Sequence, residues 1–260
     1  MKNAVISHYE GYDESQREFG TKSEQLEFLY TKKLIEQYLT SSMSVLEIGC
    51  GAGYYGLHLA DKCRLFHGVD LSPRNIEKFD AKITERKLKN IIVTVGDATD
   101  LNEINDNSFD IVLNFGPMYH LPQNERQKAM LESKRVCKDG GIILFAYINK
   151  IGVYLRAGFD DKLKLEYPNL ETNKYVLEKG IDISLPDVFY YTMPEEIEGN
   201  AKEIGLSVVK NAGVDFAFTS SEINAAEGQR YSAWIEILDY MFESASCIGT
   251  SNHAVLVCRK

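Results

Sequence analysis

Residues suited to holding a nucleotide-type cofactor follow directly after a short apolar run. Residues 45–48 predict the end of a buried strand, and Gly49, Gly51 and Gly53 come next, before a helix that starts at Tyr54. Such a turn from strand to helix brings backbone N–H groups and a helix N-terminus close to a ligand. The glycines permit a tight turn and a close backbone approach. A plain strand-to-helix turn without a ligand is the alternative interpretation.

Carboxylates end the next two predicted strands. Asp70 lies 17 positions beyond Gly53, where its oxygens can accept hydrogen bonds from both hydroxyls of a ribose. It can equally serve as a cap for the helix that follows. Asp97 ends the third strand and can accept from an adenine amino group, while Ala98 offers its backbone N–H. An Asx turn at Asp97 is the alternative.

Two side chains capable of proton chemistry follow the fourth predicted strand. Residues 109–115 form this strand, a Gly116-Pro117 break ends it, and Tyr119 and His120 come directly afterwards. His120 is a candidate general base or a hydrogen-bond partner of a substrate. A structural residue that closes the loop is the competing hypothesis.

The elements that must position these residues alternate between strand and helix over residues 44–148. This pattern predicts an α/β fold with a doubly wound, mostly parallel sheet of seven strands. A helix at 24–39 precedes the sheet. Strands at 206–218 and 254–258, separated by a helix at 220–243, complete it. The expected units are therefore an N-terminal helical cap (1–43), a cofactor-binding core (44–148), an insertion or lid after the fifth strand (149–193) and the rest of the core (194–260).

Composition narrows the function classes. The 260 residues carry a net charge of −9 without a basic block, which disfavours nucleic acid as a partner. No apolar run approaches the ~20 residues of a membrane span, so no membrane partner is expected. The five cysteines are scattered, which favours reduced thiols in the cytoplasm and predicts no metal site. A monomer or homodimer that acts on a small molecule fits these observations.

Together, the four strand ends resemble the class I S-adenosylmethionine-dependent methyltransferases over residues 45–148. Glu47-x-Gly49-x-Gly51-x-Gly53 is similar to the first motif of the family, and residues 116–121 are similar to bacterial enzymes of the ubiquinone/menaquinone-biosynthesis type. The resemblance implies a Rossmann-like fold, S-adenosylmethionine as the cofactor and methyl transfer to a small-molecule acceptor by direct in-line displacement.

The resemblance also implies roles for particular residues. The expected cofactor-binding residues are Tyr12, Arg17, Glu47, Gly49, Cys50, Gly51, Gly53, Asp70, Leu71, Asp97, Ala98, Asn114 and Phe115. The expected catalytic residues are His120 and Tyr119, and the expected substrate-binding residues are Tyr9, Tyr119, His120 and Tyr154. Tyrosines near the N-terminus and in the insertion are expected to form an aromatic lid, with ordinary packing as the alternative for each of them.

Two other interpretations remain open from the sequence. Gly51-x-Gly53-x-x-Gly56 also fits the dinucleotide fingerprint of nicotinamide-dependent oxidoreductases, with Asp70 near the expected position. Glu47 before the glycines and the Gly96-Asp97-Ala98 run weigh against that hypothesis. The second is a protein that binds the cofactor, has lost catalysis and acts through a partner.

Overall fold

One seven-stranded sheet forms the centre of the chain in a computed structural model that describes residues 2–11, 20–159, 168–182 and 188–260. Each strand overlaps one of the seven segments predicted from the sequence. The strands are β1 (Ser44–Ile48), β2 (Leu65–Asp70), β3 (Ile91–Val95), β4 (Phe109–Asn114), β5 (Cys137–Ile148), β6 (Ser207–Gly213) and β7 (His253–Arg259).

The sheet is mixed, because one of its strands runs against the others. The strand order is β3-β2-β1-β4-β5-β7-β6, and β7 pairs antiparallel with both β5 and β6. The other neighbouring strands pair parallel. The order reverses between β1 and β4, and ligands of open α/β sheets bind beyond the carboxyl ends of the strands at such a switch point.

Ten α-helices are found in the described part of the chain. They are α1 (Lys2–Gly11), α2 (Leu26–Glu36), α3 (Tyr54–Leu59), α4 (Pro73–Glu85), α5 (Gln123–Val136), α6 (Lys150–Phe159), α7 (Leu170–Asn173), α8 (Pro194–Glu203), α9 (Ser220–Ala225) and α10 (Gly228–Glu243). A π-helix (Lys174–Lys179) follows α7 directly. None of these helices is long and apolar enough to cross a membrane.

Helices cover both faces of the sheet, as the apolar strands require. Within β1, Val45 packs into a core with α2, α3, α4 and α10, whereas the adjacent Leu46 packs into a second core with α5 and α8. Successive side chains of a strand point to opposite faces, so a strand that is apolar throughout needs cover on both sides. The doubly wound arrangement follows from this pattern.

The segment predicted as an insertion packs at the carboxyl edge of the sheet. Ile148 at the end of β5 forms a small apolar cluster with Val153 and Ala157 of α6, Val176 of the π-helix and Tyr191. A backbone bridge between Asn149 and Thr192 ties the two ends of the segment together.

Two features differ from the predictions. The helix expected at 220–243 is divided into α9 and α10, because Ala226 and Glu227 between them adopt extended backbone conformations. The strand expected at 206–218 ends at Gly213. The helix α1 has no clear apolar period in the sequence, so its position depends on tertiary contacts rather than on an apolar stripe.

Candidate active site

The glycine turn after β1 forms the floor of a cavity at the carboxyl edge of the sheet. Gly49 and Cys50 both donate their backbone N–H groups to the carbonyl of Val69, at 2.7 and 3.0 Å. Gly51 has a φ of +53°, and a Cβ added there would meet no atom within 4 Å. The backbone at Gly51 is therefore open to a ligand, as a cofactor cradle requires.

Gly53 turns the chain into α3 instead of lining the cavity. Its φ is +88°, and a Cβ at this position would lie 2.2 Å from the ring of Phe79. Any side chain would thus collide with the α4 helix that packs beneath the turn. The glycine is required here by packing and backbone conformation together.

Asp70 connects the glycine turn to the helix that follows β2. One carboxylate oxygen accepts from the backbone N–H of Gly51 at 2.8 Å, and the other accepts from the backbone N–H of Ser72 at 2.9 Å and from Asn75 Nδ2 at 3.1 Å. Ser72, not Asp70, caps α4. Burial raises the pKa of Asp70, while the hydrogen bonds from Ser72 and Gly51 partly offset that rise. A carboxylate offers about four acceptor positions, so one remains for a ligand hydroxyl.

Asp97 and Ala98 line the same cavity beyond the end of β3. The Asp97 carboxylate accepts from the backbone N–H and the hydroxyl of Thr99, at 2.9 and 2.8 Å, so the Asx turn considered from the sequence does form. Leu71, after β2, adds an apolar surface between the two carboxylates. This edge combines hydrogen-bond acceptors with an apolar slot, which suits a nucleoside.

Two further predicted residues line the cavity from β1. Glu47 is 2% exposed and Cys50 is 4% exposed. Burial raises the pKa of the Cys50 thiol well above its ordinary value, with the carboxylates of Glu47 and Asp70 adding to that effect. Cys50 therefore remains a neutral thiol and is not a nucleophile.

His120 lies on the opposite side of the cavity with both ring nitrogens engaged. Nδ1 lies 2.8 Å from the carbonyl oxygen of Val188, and Nε2 lies 2.8 Å from the hydroxyl of Tyr9. Because a carbonyl oxygen only accepts, Nδ1 carries the proton and Nε2 accepts from Tyr9. Burial lowers the pKa of His120 to about 4, so the ring is neutral at physiological pH.

Aromatic rings surround His120. Tyr119 lies 4.7 Å from the His120 ring centroid, and Phe189 lies 5.2 Å from it. Phe115 lines the cavity nearby and meets the ring of Tyr55 edge to face at 5.2 Å. These rings give this side of the cavity an aromatic surface.

The remaining predicted site residues lie elsewhere. Asn114 is fully buried and faces α5, where its Nδ2 donates to Ser133 Oγ at 2.9 Å. Tyr154 packs beside the apolar cluster of α6 rather than on the cavity wall. Tyr12 and Arg17 lie outside the described residues.

Several cavity residues were not predicted. Glu27 reaches the cavity from α2, Lys82 from α4 and Ala146 from β5, while Val5 and Ile6 reach it from α1. Lys82 donates to the carbonyl of Ala52 at 3.1 Å and so supports the glycine turn. No local motif marks these residues, because each reaches the cavity only through the packing of its element.

Known methyltransferases resemble this chain in sequence. Residues 45–141 match the model of a methyltransferase domain family. The ubiquinone biosynthesis O-methyltransferase of Pelagibacter ubique is 28% identical over 180 residues, which cover 67% of this chain and 66% of that protein. An uncharacterized RNA methyltransferase of Staphylococcus epidermidis is 34% identical over 79 residues, 30% of this chain and 17% of that protein. The chain thus spans less than two thirds of the length of either relative.

The fold has known counterparts as well. A SAM-dependent methyltransferase from Methanosarcina mazei superposes with a TM-score of 0.58 at 17% identity, covering 87% of this chain and 96% of that one. The prediction of a methyltransferase is confirmed over residues 45–141, which match that family model, and the chain has the fold of a SAM-dependent methyltransferase.

Proposed function

We propose that the protein transfers a methyl group from S-adenosylmethionine to a small-molecule acceptor. The observation that carries this proposal is a single cavity at the switch point of the sheet with two dissimilar walls. The donor half consists of residues 49–52 of the glycine turn with Glu47, Asp70, Leu71, Asp97 and Ala98. The acceptor half consists of Tyr9, Phe115, Tyr119, His120 and Leu121.

The donor half offers a partner for each part of the cofactor. Asp70 would accept from one ribose hydroxyl, and Asp97 would accept from the adenine amino group, with Leu71 and Ala98 against the adenine ring. Glu47, Gly49, Cys50 and Gly51 would hold the methionine portion. Gly51 leaves space for a ligand, and the buried carboxylate of Glu47 fits a ligand that carries a positive charge. When bound, the cofactor supplies a methyl group already activated by its sulfonium.

The acceptor half positions the second substrate and keeps water out. Correct orientation of two reactants can contribute ~7–11 kcal/mol to lowering a barrier. Since His120 is held neutral and oriented by Val188 and Tyr9, it presents no positive charge near a cationic methyl donor. Tyr9 comes from α1, so this helix completes the wall of the cavity.

The charge of the cavity supports a small molecule as the acceptor. Among the described residues that line it, the acids are Glu27, Glu47, Asp70 and Asp97, and Lys82 is the one lysine or arginine. A polyanion such as RNA needs a basic surface, and the net charge of the chain is −9.

The five cysteines are all free thiols, which supports a cytoplasmic location as part of the same proposal.

Transfer of a labelled methyl group tests this function. The protein is incubated with methyl-labelled S-adenosylmethionine and, in separate reactions, a protein-free metabolite extract and purified total RNA, with heat-denatured protein as the inactive control. We expect label in one or a few small molecules. Label in RNA would contradict the small-molecule acceptor. Tight cofactor binding without transfer to either fraction would favour a binding protein without catalysis.

A further inference from the structure

One acid of the cavity wall has no part in the proposed donor half. Glu27 lines the cavity from α2, whereas the donor half follows the ends of β1, β2 and β3. The residues three, four and seven positions further along α2 are Tyr30, Thr31 and Leu34, which are 0 to 1% exposed. Residues at these spacings share one face of a helix. Glu27 therefore extends the buried stripe of α2 to the cavity.

Stabilisation of the helix does not account for this position. Glu27 lies in the first turn of α2, where an acid interacts favourably with the helix dipole. That interaction is equally available from the side of the turn that faces solvent. The place of Glu27 on the cavity wall therefore has a second reason.

Aromatic rings stand next to the Glu27 carboxylate on the same wall. Tyr55 Oη lies 3.5 Å from Glu27 Oε1, and the Tyr55 ring meets the ring of Phe115 edge to face at 5.2 Å. The ring of Tyr54 lies 5.7 Å from that of Tyr55. All three rings line the cavity. A carboxylate beside aromatic rings favours a cation, because the faces of the rings are negative as well.

The contact with Tyr55 leaves the Glu27 carboxylate able to bind a ligand. The distance of 3.5 Å between the two oxygens exceeds the usual limit of about 3.0 Å for a hydrogen bond between oxygens. A carboxylate has about four acceptor positions, so several partners can share it. A ligand ammonium group can therefore donate to Glu27 while the other contacts of this side chain persist.

Phe115 connects Glu27 with the acceptor half of the cavity. Phe115 follows β4, which lies next to β1 on the side away from β2 and β3. The contacts that start at Glu27 and pass through Tyr55 end on this ring. Glu27 therefore belongs to the side of the cavity where the second substrate would bind, and not to the strand ends that would hold the cofactor.

The cavity keeps a negative charge after the methyl donor has bound. The described residues that line it include four acids (Glu27, Glu47, Asp70 and Asp97) and one lysine (Lys82), which gives a formal charge of −3. S-adenosylmethionine carries a sulfonium, an ammonium and a carboxylate group, so it offsets only one of these negative charges. The remainder attracts a cation and repels an anion.

We propose that Glu27 binds a positively charged group of the methyl acceptor, so that the acceptor is an organic cation with an ammonium group; this inference rests on the proposed function. The ammonium group lies at the Glu27 carboxylate, beside the rings of Tyr54 and Tyr55. It is distinct from the atom that receives the methyl group, because a protonated nitrogen has no lone pair with which to attack. Glu27 thus determines specificity and takes no proton in the reaction.

Fractionation of the metabolite extract tests the charge of the acceptor. Ion exchangers at neutral pH separate the extract into cationic, anionic and unretained fractions, and each is incubated with wild-type protein and methyl-labelled S-adenosylmethionine. We expect label only in the cationic fraction. Label confined to the anionic or the unretained fraction would overturn the inference and leave the proposed function intact. No label in any fraction would contradict the proposed function and, with it, the role of Glu27.

Two glutamine variants of the same helix test the role of Glu27 itself. Glu27→Gln keeps the size of the side chain and removes its charge, while Glu36→Gln, at the other end of α2 and outside the cavity lining, is the matched control. With the cationic fraction at limiting concentration, we expect product formation to fall by about 10–100-fold in Glu27→Gln. Raising the concentration should restore most of it, because a binding contact changes KM more than kcat. Equal product formation by the two variants would overturn the inference.

Binding measurements separate an acceptor contact from a cofactor contact without turnover. Calorimetry should give Glu27→Gln the wild-type affinity for S-adenosylhomocysteine, and a lower affinity would assign Glu27 to the cofactor and overturn the inference. Benzyltrimethylammonium, added to protein loaded with S-adenosylhomocysteine, should bind about tenfold more tightly to wild-type protein than to Glu27→Gln. Benzyl alcohol, the neutral control, should not distinguish them. Equal affinity of both proteins for the cation, or no binding to either, would also overturn the inference.

Discussion

The donor and acceptor halves of the cavity are built in different ways. The donor half comes from the ends of three parallel strands and the few residues after each, so every group follows a strand end directly in the chain. The acceptor half joins distant segments: Tyr9 and His120 are 111 positions apart, and His120 and Val188 are 68 apart. A local pattern can thus indicate the cofactor, while the acceptor site depends on tertiary packing.

Among substitutions in the donor half, one in the glycine turn should have the largest effect on stability and on cofactor binding. Gly53→Ala places a Cβ at φ +88° and 2.2 Å from Phe79. We expect it to lower the unfolding free energy by about 2–5 kcal/mol and to abolish binding of S-adenosylhomocysteine. Denaturant unfolding and calorimetry measure the two effects.

Gly140→Ala is the matched control for that change. Its φ is +76°, yet a Cβ there meets no atom within 4 Å, so only the cost of the left-handed conformation applies, about 1–2 kcal/mol. Equal losses in the two variants would show that Phe79 does not constrain the turn.

In the acceptor half, the lowered pKa of His120 should make the unfolding free energy depend on pH. Its folded pKa of about 4 lies below the ordinary 6.5, so the unfolded chain binds the proton more readily, and stability is lost as pH falls from 6.5 to 4. The full loss is about 3 kcal/mol. Denaturant unfolding at a series of pH values should show a flatter dependence for His120→Asn than for the wild-type protein.

His253, whose Nδ1 lies 2.6 Å from Asp215 Oδ2, should contribute to stability with the opposite sign. Its folded pKa is raised above 6.5, so its contribution is present below that value and is lost as pH rises through the folded pKa. The wild-type protein should therefore lose stability as pH rises through the folded pKa of His253. His253→Asn should remove this loss, whereas His120→Asn should retain it. Identical pH profiles for the two variants would contradict the contrast between the two histidines.

Asp70 should matter for cofactor affinity. Asp70→Ala removes a carboxylate acceptor, and we expect it to weaken binding of S-adenosylhomocysteine by about 1–3 kcal/mol. Asp61→Ala, which removes an exposed acid after α3, is the control and should leave affinity unchanged. Calorimetry compares the two, and an equal affinity of both variants would remove Asp70 from the donor half.

The smallest effect is expected where α1 meets the acceptor half. Tyr9→Phe keeps the ring but removes the hydroxyl that donates to His120 Nε2 at 2.8 Å. We expect a loss of about 1 kcal/mol in unfolding free energy. Tyr240→Phe, whose side chain is 80% exposed, should change nothing. An unchanged stability for Tyr9→Phe would mean that this hydrogen bond does not fix α1.

The sequence was sufficient to predict the sheet and most residues of the donor half, because strand ends, glycines and carboxylates are recognisable from short stretches of sequence. It placed Asn114 at the site, but alternation along β4 turns this side chain towards α5. It also joined α9 and α10 into one helix, since the extended residues between them, Ala226 and Glu227, are types that are common in helices.

Long-range contacts explain why most of the acceptor half was not predicted. Tyr154 was expected at the site but packs with α6. The contact between His120 and Val188 spans 68 positions. No spacing of residues along the chain indicates such a contact, because it forms only when the segment after β5 packs at the carboxyl edge of the sheet.

Binding of the cofactor product tests the central claim most directly. Calorimetric titration of the wild-type protein with S-adenosylhomocysteine, and separately with NAD, compares the two cofactors that the glycine turn could serve. We expect S-adenosylhomocysteine to bind with one site per chain and NAD to show no measurable heat. Tighter binding of NAD, or no binding of S-adenosylhomocysteine, would contradict the assignment of the donor half.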